Sequence, residues 1–128
     1  MILDSSALVA IVMAEPGYRE LLTKIRAAKS RGIGTPTLLE AFLVLSHRLR
    51  GDASPLLLTL LAELDVERIP FTEEHSLAAL SAFLKFGKSR HRAALNFGDC
   101  AAYAVAKIAG EPLLFRGEDF VKTDIPAA

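Results

Sequence analysis

Apolar residues fall into two kinds of run along this chain. Short runs that stop abruptly at a polar or turn-forming residue occur at Met1–Leu3, Gly32–Thr35, Val66–Pro70 and Leu113–Phe115, and these predict strands. Longer runs with helical spacing lie between them. Ala7 to Met13 predicts a buried helix with Ser5 or Ser6 near its cap, and Glu15-Pro16-Gly17 breaks it. Tyr18, Leu21, Leu22 and Ile25 recur on one face of an amphipathic helix over Tyr18–Lys29. Pro36 suits the first turn of a helix reaching Leu49, with Thr35 as the expected cap. Leu56 to Leu64 predicts a further helix, and Thr72-Glu73-Glu74-His75 opens one that runs to about Phe86. The last helix covers Leu95 to Lys107, is built mostly of small apolar residues, and ends before Gly110-Glu111-Pro112.

Strands that alternate with helices imply crossover connections and parallel pairing. The expected architecture is a single α/β domain over residues 1–128, with a central, mostly parallel sheet between two helical layers. In such sheets the working groups gather beyond the carboxyl ends of the strands. Asp4 stands immediately after the first strand, and Glu118–Asp119 stand shortly after the last.

Composition narrows the class. The chain has 128 residues, 52% of them hydrophobic, enough for a real core. Its 15 basic and 15 acidic residues cancel, so any nucleic-acid footprint must be local. The single cysteine, Cys100, excludes an internal disulfide and reads as a packing residue in a reducing, cytoplasmic setting. No run approaches the roughly 20 apolar residues of a membrane span.

Most of the acids sit where acids are ordinary, at helix starts and in loops. Glu40 does not: its helical neighbours are Pro36, Thr37, Leu43 and Val44, a largely apolar stripe on which an uncompensated carboxylate is costly. Asp4, Asp99 and Asp119 each have a local explanation as cap, helix-start acid and turn residue. Together with Glu40 they form a candidate constellation at one sheet edge. Converging carboxylates repel one another, and a divalent cation relieves that repulsion. Oxygen donors favour Mg²⁺, or Mn²⁺, over Zn²⁺; His47, His75 and His91 are scattered and read as surface or capping residues. Carboxylate-held divalent ions suit phosphodiester hydrolysis. Ser6, two residues after Asp4, is a supporting candidate that could orient water or cap the helix.

Lys85, Lys88, Arg90 and Arg92, with His91, make one dense basic segment before the last helix. It is either a solvated loop or a grip on nucleic-acid phosphates, with Lys88, Arg90 and Arg92 as the RNA-binding candidates. Phe86 and Phe97 border it; they could stack on bases, but the core is their expected place.

Four segments taken together resemble the PIN-domain ribonucleases of the VapC toxin type. Met1-Ile2-Leu3-Asp4-Ser5-Ser6-Ala7-Leu8-Val9-Ala10-Ile11 is similar to the family's opening, and Thr37-Leu38-Leu39-Glu40-Ala41 to its second acidic position. Leu95-Asn96-Phe97-Gly98-Asp99-Cys100-Ala101-Ala102-Tyr103-Ala104 and Leu113-Leu114-Phe115-Arg116-Gly117-Glu118-Asp119-Phe120 resemble the third and fourth. The resemblance implies a three-layer α/β/α PIN-like fold and a metal-dependent endoribonuclease. It also implies a cognate antitoxin that enters the acidic cleft, and a homodimer. Asp4, Glu40, Asp99 and Asp119 would then be catalytic and metal-holding, with Glu118 able to share the last role and Asp124 a weaker claimant. Two rival readings are a catalytically silent RNA- or partner-binding module and a phosphoacceptor receiver-like domain. The latter usually carries paired acids after its first strand, whereas Asp4 is followed here by Ser5-Ser6.

Overall fold

In the computed structural model, which describes residues 1–128, the short apolar runs pair into one sheet. Its strands are β1 (Ile2–Leu3), β2 (Gly32–Gly34), β3 (Glu67–Ile69) and β4 (Leu113–Leu114). They lie in the order β3-β2-β1-β4, and every pairing is parallel. The helices are α1 (Ser5–Val12), α2 (Tyr18–Ala27), α3 (Thr35–Leu49), α4 (Ser54–Glu63), α5 (Glu73–Phe86) and α6 (Phe97–Ala109). None is long and apolar enough to cross a membrane.

Alternation along the strands sorts the core into two halves. Leu3, Ile33 and Leu114 pack with Leu8, Ile25, Leu45, Leu57 and Leu61 of α1 to α4. Ile2 and Leu113 face the other way, against Phe86 of α5 and Tyr103 and Val105 of α6. The sheet is therefore covered on both faces, as a parallel sheet requires, and the three layers follow. Helix α6 sits close to the sheet because its residues are small and because β2 offers glycine: a Cβ on Gly34 would meet Val105 Cγ2 at 2.7 Å.

One cap differs from the sequence reading, and another settles a choice it left open. Helix α1 starts at Ser5 and its cap is Asp4, whose side chain accepts from the Ser6 N–H. Thr35 is not the cap of α3. It is already the first helical residue, and Gly34 occupies the cap position with no side-chain hydrogen bond, because β2 runs straight into the helix.

The chain order fixes where a cleft can form. From β1 the chain moves outward through β2 to β3, then returns so that β4 lies on the other side of β1. The segments after β1 and β4 depart toward opposite helical layers, Ala7 and Leu8 into one core half and Phe120 into the other. A crevice at the carboxyl ends of neighbouring strands is the usual ligand position in such sheets.

Candidate active site

Asp4 occupies that crevice. Its N–H donates to the Leu114 carbonyl at 2.9 Å, tying it to the end of β4. The residue is only 5% exposed. Oδ2 accepts from the Ser6 N–H at 3.0 Å and from the Ser6 hydroxyl at 2.5 Å. Burial raises the Asp4 pKa; the two Ser6 bonds oppose this, and the charge of Glu40 adds to it. The same carboxylate thus caps a helix and belongs to the acidic site.

Glu40 comes from the second turn of α3 and is half-buried. Its Oε1 accepts a short hydrogen bond from the Ser5 hydroxyl. On its other side lies Gly98 of α6. A Cβ there would stand 2.9 Å from the Glu40 carboxyl carbon, so only glycine leaves this carboxylate its place. The Ser5 hydroxyl thus gives the Glu40 carboxylate a hydrogen-bond partner on its otherwise largely apolar stripe.

Asp99 lies in the first turn of α6, where Asn96 forms a reciprocal capping box with it. The Asn96 N–H donates to Asp99 Oδ2 at 3.0 Å and the Asp99 N–H to Asn96 Oδ1 at 2.9 Å. Its pKa is nevertheless pushed up to about 6. Burial is the largest cause, the Asn96 N–H opposes it, and the charges of Asp119, Asp4 and Glu40 add to it. Asp99 therefore lies within electrostatic reach of carboxylates from three other segments. Asp119 is exposed on the loop after β4, as is Glu118 beside it.

The donor set suits a hard divalent cation, being all carboxylate and hydroxyl oxygen. The histidines lie elsewhere. His75 forms the capping box of α5 with Thr72, His91 accepts from the Ala93 N–H, and His47 is exposed near the end of α3. No three acidic, histidine or cysteine side chains stand together as a group that could hold a metal ion.

Asp124 is not part of this cluster. Its carboxylate accepts from the Tyr103 hydroxyl at 2.6 Å and from Lys107 at 3.2 Å, with Lys85 at 3.7 Å. Those partners, the Tyr103 hydroxyl foremost, hold its pKa below the usual range. Lys85 is therefore spent on an ion pair. Lys88, Arg90 and Arg92 remain exposed and form no ion pair, and the Arg90 guanidinium lies over the Phe83 ring.

Phe97 is the clearest departure from expectation. Phe86 is buried, but Phe97 is 89% exposed. It lines an apolar groove of about 390 Å³ with Pro36, Phe71, Leu80 and Phe83. A neighbouring hollow shares Phe97 and Pro36 and reaches Glu40 and Gly98, so the groove leads to the acidic cleft. A lone aromatic at a helix start carries no signal that separates core from surface.

Sequence reading also missed a polar cluster beside Ser5 and Ser6. Arg48 of α3 and Arg116, which follows β4, both pair with Glu15, at 3.0 and 3.5 Å. The Arg116 N–H donates to the Ser6 hydroxyl oxygen at 3.0 Å. The only linear hint was the position of Arg116 just past a strand end.

Set against known proteins, residues 1–126 match the PIN-domain family model. The chain belongs to the PIN-domain family. Among its relatives is ribonuclease VapC36 of Mycobacterium tuberculosis, 43% identical over 126 residues that span 98% of this chain and 91% of that protein. The PIN fold is shared with a crystal structure of Mycobacterium tuberculosis VapC20, a toxin that cleaves the sarcin–ricin loop. That match has a TM-score of 0.79 at 14% identity and covers 99% of this chain and 97% of that one. A toxin–antitoxin complex from Klebsiella pneumoniae aligns with a TM-score of 0.69 at 17% identity, covering 96% of this chain and 92% of that one. Within the PIN family this chain stands with the VapC proteins, which removes the receiver-like alternative.

Proposed function

We propose that this PIN domain is a metal-dependent endoribonuclease and the toxin of a toxin–antitoxin pair. The observation that carries the reading is Asp99, whose carboxyl is pushed up to about 6 by burial and by the charges of Asp119, Asp4 and Glu40. A buried acid within reach of three other carboxylates is costly to ionise, and such perturbed acids gather at functional sites. The VapC36 relative, a ribonuclease by name, supplies the substrate class.

Asp4, Asp99, Glu40 and Asp119 would hold the ion, Mg²⁺ first and Mn²⁺ second, with Glu118 able to stand in for its neighbour. When bound, such an ion lowers the pKa of water, offsets the repulsion of the acids and stabilises charge on a phosphoryl group. The chain's own residues set the geometry. Ser6 fixes the rotamer of Asp4 through its N–H and hydroxyl, and Ser5 does the same for Glu40. Gly98 leaves room for the Glu40 carboxylate, and Asn96 orients Asp99. Lys88, Arg90 and Arg92, exposed and unpaired on the segment before α6, would draw in the RNA backbone. A buried cleft reached through such a surface favours single-stranded or looped RNA.

The antitoxin would cover the groove around Phe97, with an apolar segment seated on Leu80 and Phe83 and a basic side chain reaching toward Glu40. Exposed Leu39 and Leu43 extend the same surface along α3. We place the reaction in the cytoplasm, in keeping with a free, buried Cys100, and expect a homodimer, which light scattering of the purified protein measures directly.

Asp4→Asn tests the reading. Asn caps a helix as well as Asp, so the thermal midpoint should hold within a few degrees while RNA cleavage falls by about 10³-fold or more. Retained cleavage in this variant, or in excess EDTA, would refute the mechanism. RNA binding without turnover across Mg²⁺ and Mn²⁺ would favour the silent-module alternative.

A further inference from the structure

We infer that the cleft beside Ser5 and Ser6 is a second phosphate subsite, in which Arg48 and Arg116 take the RNA backbone phosphate next to the one that is cut; this rests on the ribonuclease reading. The cleft holds about 590 Å³ and is lined by Ser5, Ser6, Glu15, Arg48 and Arg116 among others. That volume lies within the roughly 300–1,000 Å³ of small-ligand clefts. Ser5 and Ser6 are also the residues that hold Glu40 and Asp4, so the cleft and the acidic site share a wall.

Charge in the cleft is arranged for an anion. Two guanidinium groups converge on one carboxylate, Glu15, which leaves a net positive charge. Arg48 uses one nitrogen on Glu15, and Arg116 uses two, on Glu15 and on the Pro16 carbonyl. A guanidinium has five N–H donors, so both keep donors to offer. Their side chains are 46% and 39% exposed, open to a ligand yet held in place. Glu15 and Pro16 fix the arginine rotamers in advance, which lowers the entropic cost of gripping a phosphate. Guanidinium forks match phosphate geometry bidentately.

Position gives the subsite its register. Arg116 follows β4 and is linked through its N–H to Ser6 and thence to Asp4. Arg48 and Arg116 stand beside α1 and α3, whereas Lys88, Arg90 and Arg92 lie on the α5–α6 side, between Phe86 and Leu95 of that core half. Cations thus lie on both helical sides of the sheet from whose end the acidic cleft opens. A backbone crossing it would meet guanidinium on one side of the cut and the basic loop on the other.

The test uses the full chain and an RNA oligonucleotide that the wild type cuts. Steady-state cleavage in Mg²⁺ should show KM raised about tenfold in Arg48→Gln and in Arg116→Gln, with kcat within about twofold. Each variant should also lower the slope of log KM against log salt by about 0.7. A single methylphosphonate, placed in turn at each phosphate flanking the cut, should raise KM in the wild type at one position. At that position it should add nothing in Arg116→Gln. A purely structural role for the arginines cannot produce that lost additivity, and Arg48→Gln, on an exposed helix position, is not expected to disturb the fold. Unchanged KM in both variants, or a methylphosphonate penalty that persists in full in Arg116→Gln, would overturn the subsite. Binding of labelled single-stranded RNA in excess EDTA separates the two readings. Arginine-dependent binding in a protein that never cuts RNA would sink the nuclease reading and leave the subsite standing; cutting without arginine dependence would do the reverse.

Discussion

Replacing Gly98 by Ala should inactivate this protein without unfolding it. The added Cβ would collide with Glu40 Oε2 and sit 2.9 Å from the carboxyl carbon and 3.2 Å from Oε1. Carbon atoms in contact prefer about 3.5–4.0 Å, so the carboxyl group must retreat by about 1 Å. The obstacle is the far end of a flexible side chain, and the backbone need not move. Losing the Ser5–Glu40 hydrogen bond costs about 1 kcal/mol, while alanine in place of glycine in a helix returns up to about 1 kcal/mol. The two nearly cancel, so thermal unfolding should show a change of no more than about 1 kcal/mol. Cleavage is another matter, because a catalytic carboxylate displaced by about 1 Å loses roughly 10²-fold in rate. Glu40→Asp in the same background shortens the side chain and should recover part of that loss. The paired assays are calorimetry and RNA cleavage under saturating Mg²⁺. Cleavage within twofold of wild type in the Gly98→Ala protein would show that Glu40 does not take part.

Other outcomes follow from the same geometry. Asp99 titrates at about 6 in the fold against an ordinary 3.8, so the fold prefers it protonated. Its stabilising effect is therefore full below about pH 4 and lost as the pH rises through about 6. Moving a carboxyl from 3.8 to about 6 corresponds to about 3 kcal/mol at full strength, and solvent screening of this part-exposed group brings it to about 1 kcal/mol. Without divalent ions, Asp99→Asn should gain in thermal midpoint over wild type between pH 5 and pH 7; an advantage that shrinks over that interval would contradict the assignment. Tyr103→Phe removes the hydroxyl that donates to Asp124 at 2.6 Å and should cost about 1–2 kcal/mol in denaturant unfolding. Its cleavage rate should stay at the wild-type value, since Asp124 lies outside the acidic site, and a collapse of cleavage in the folded variant would place Asp124 in the chemistry.

What the linear sequence revealed depended on whether one segment held the signal. Asp4 was legible because a strand and a helix meet at it, and Glu40 because an acid on an apolar stripe needs a local explanation. Asp99 was legible as a helix-start acid, but its raised pKa comes first from burial and then from the charges of Asp119, Asp4 and Glu40, and only the fold supplies either. Glu15, Arg48 and Arg116 were illegible for the same reason: a turn, a helix and a strand end each contribute one residue. Thr35 was misread as a cap because capping preferences assume a turn before the helix, and β2 enters α3 without one. Phe97 was misread because periodicity at a helix's first residue cannot tell an inward from an outward direction. Its neighbour Gly98 packs on Glu40, which leaves Phe97 on the groove side.

The chemistry of the cut ends tests the central claim most directly. Hydrolysis by water, promoted by a divalent ion held on Asp4 and Asp99, leaves no 2′,3′-cyclic phosphate. Attack by the ribose 2′-hydroxyl, the route open to a nuclease that needs no metal, produces one. RNA cut by the purified protein in Mg²⁺ should therefore carry linear phosphate and free hydroxyl ends, with no cutting in EDTA. Cyclic phosphate ends, formed equally with and without the chelator, would contradict the account.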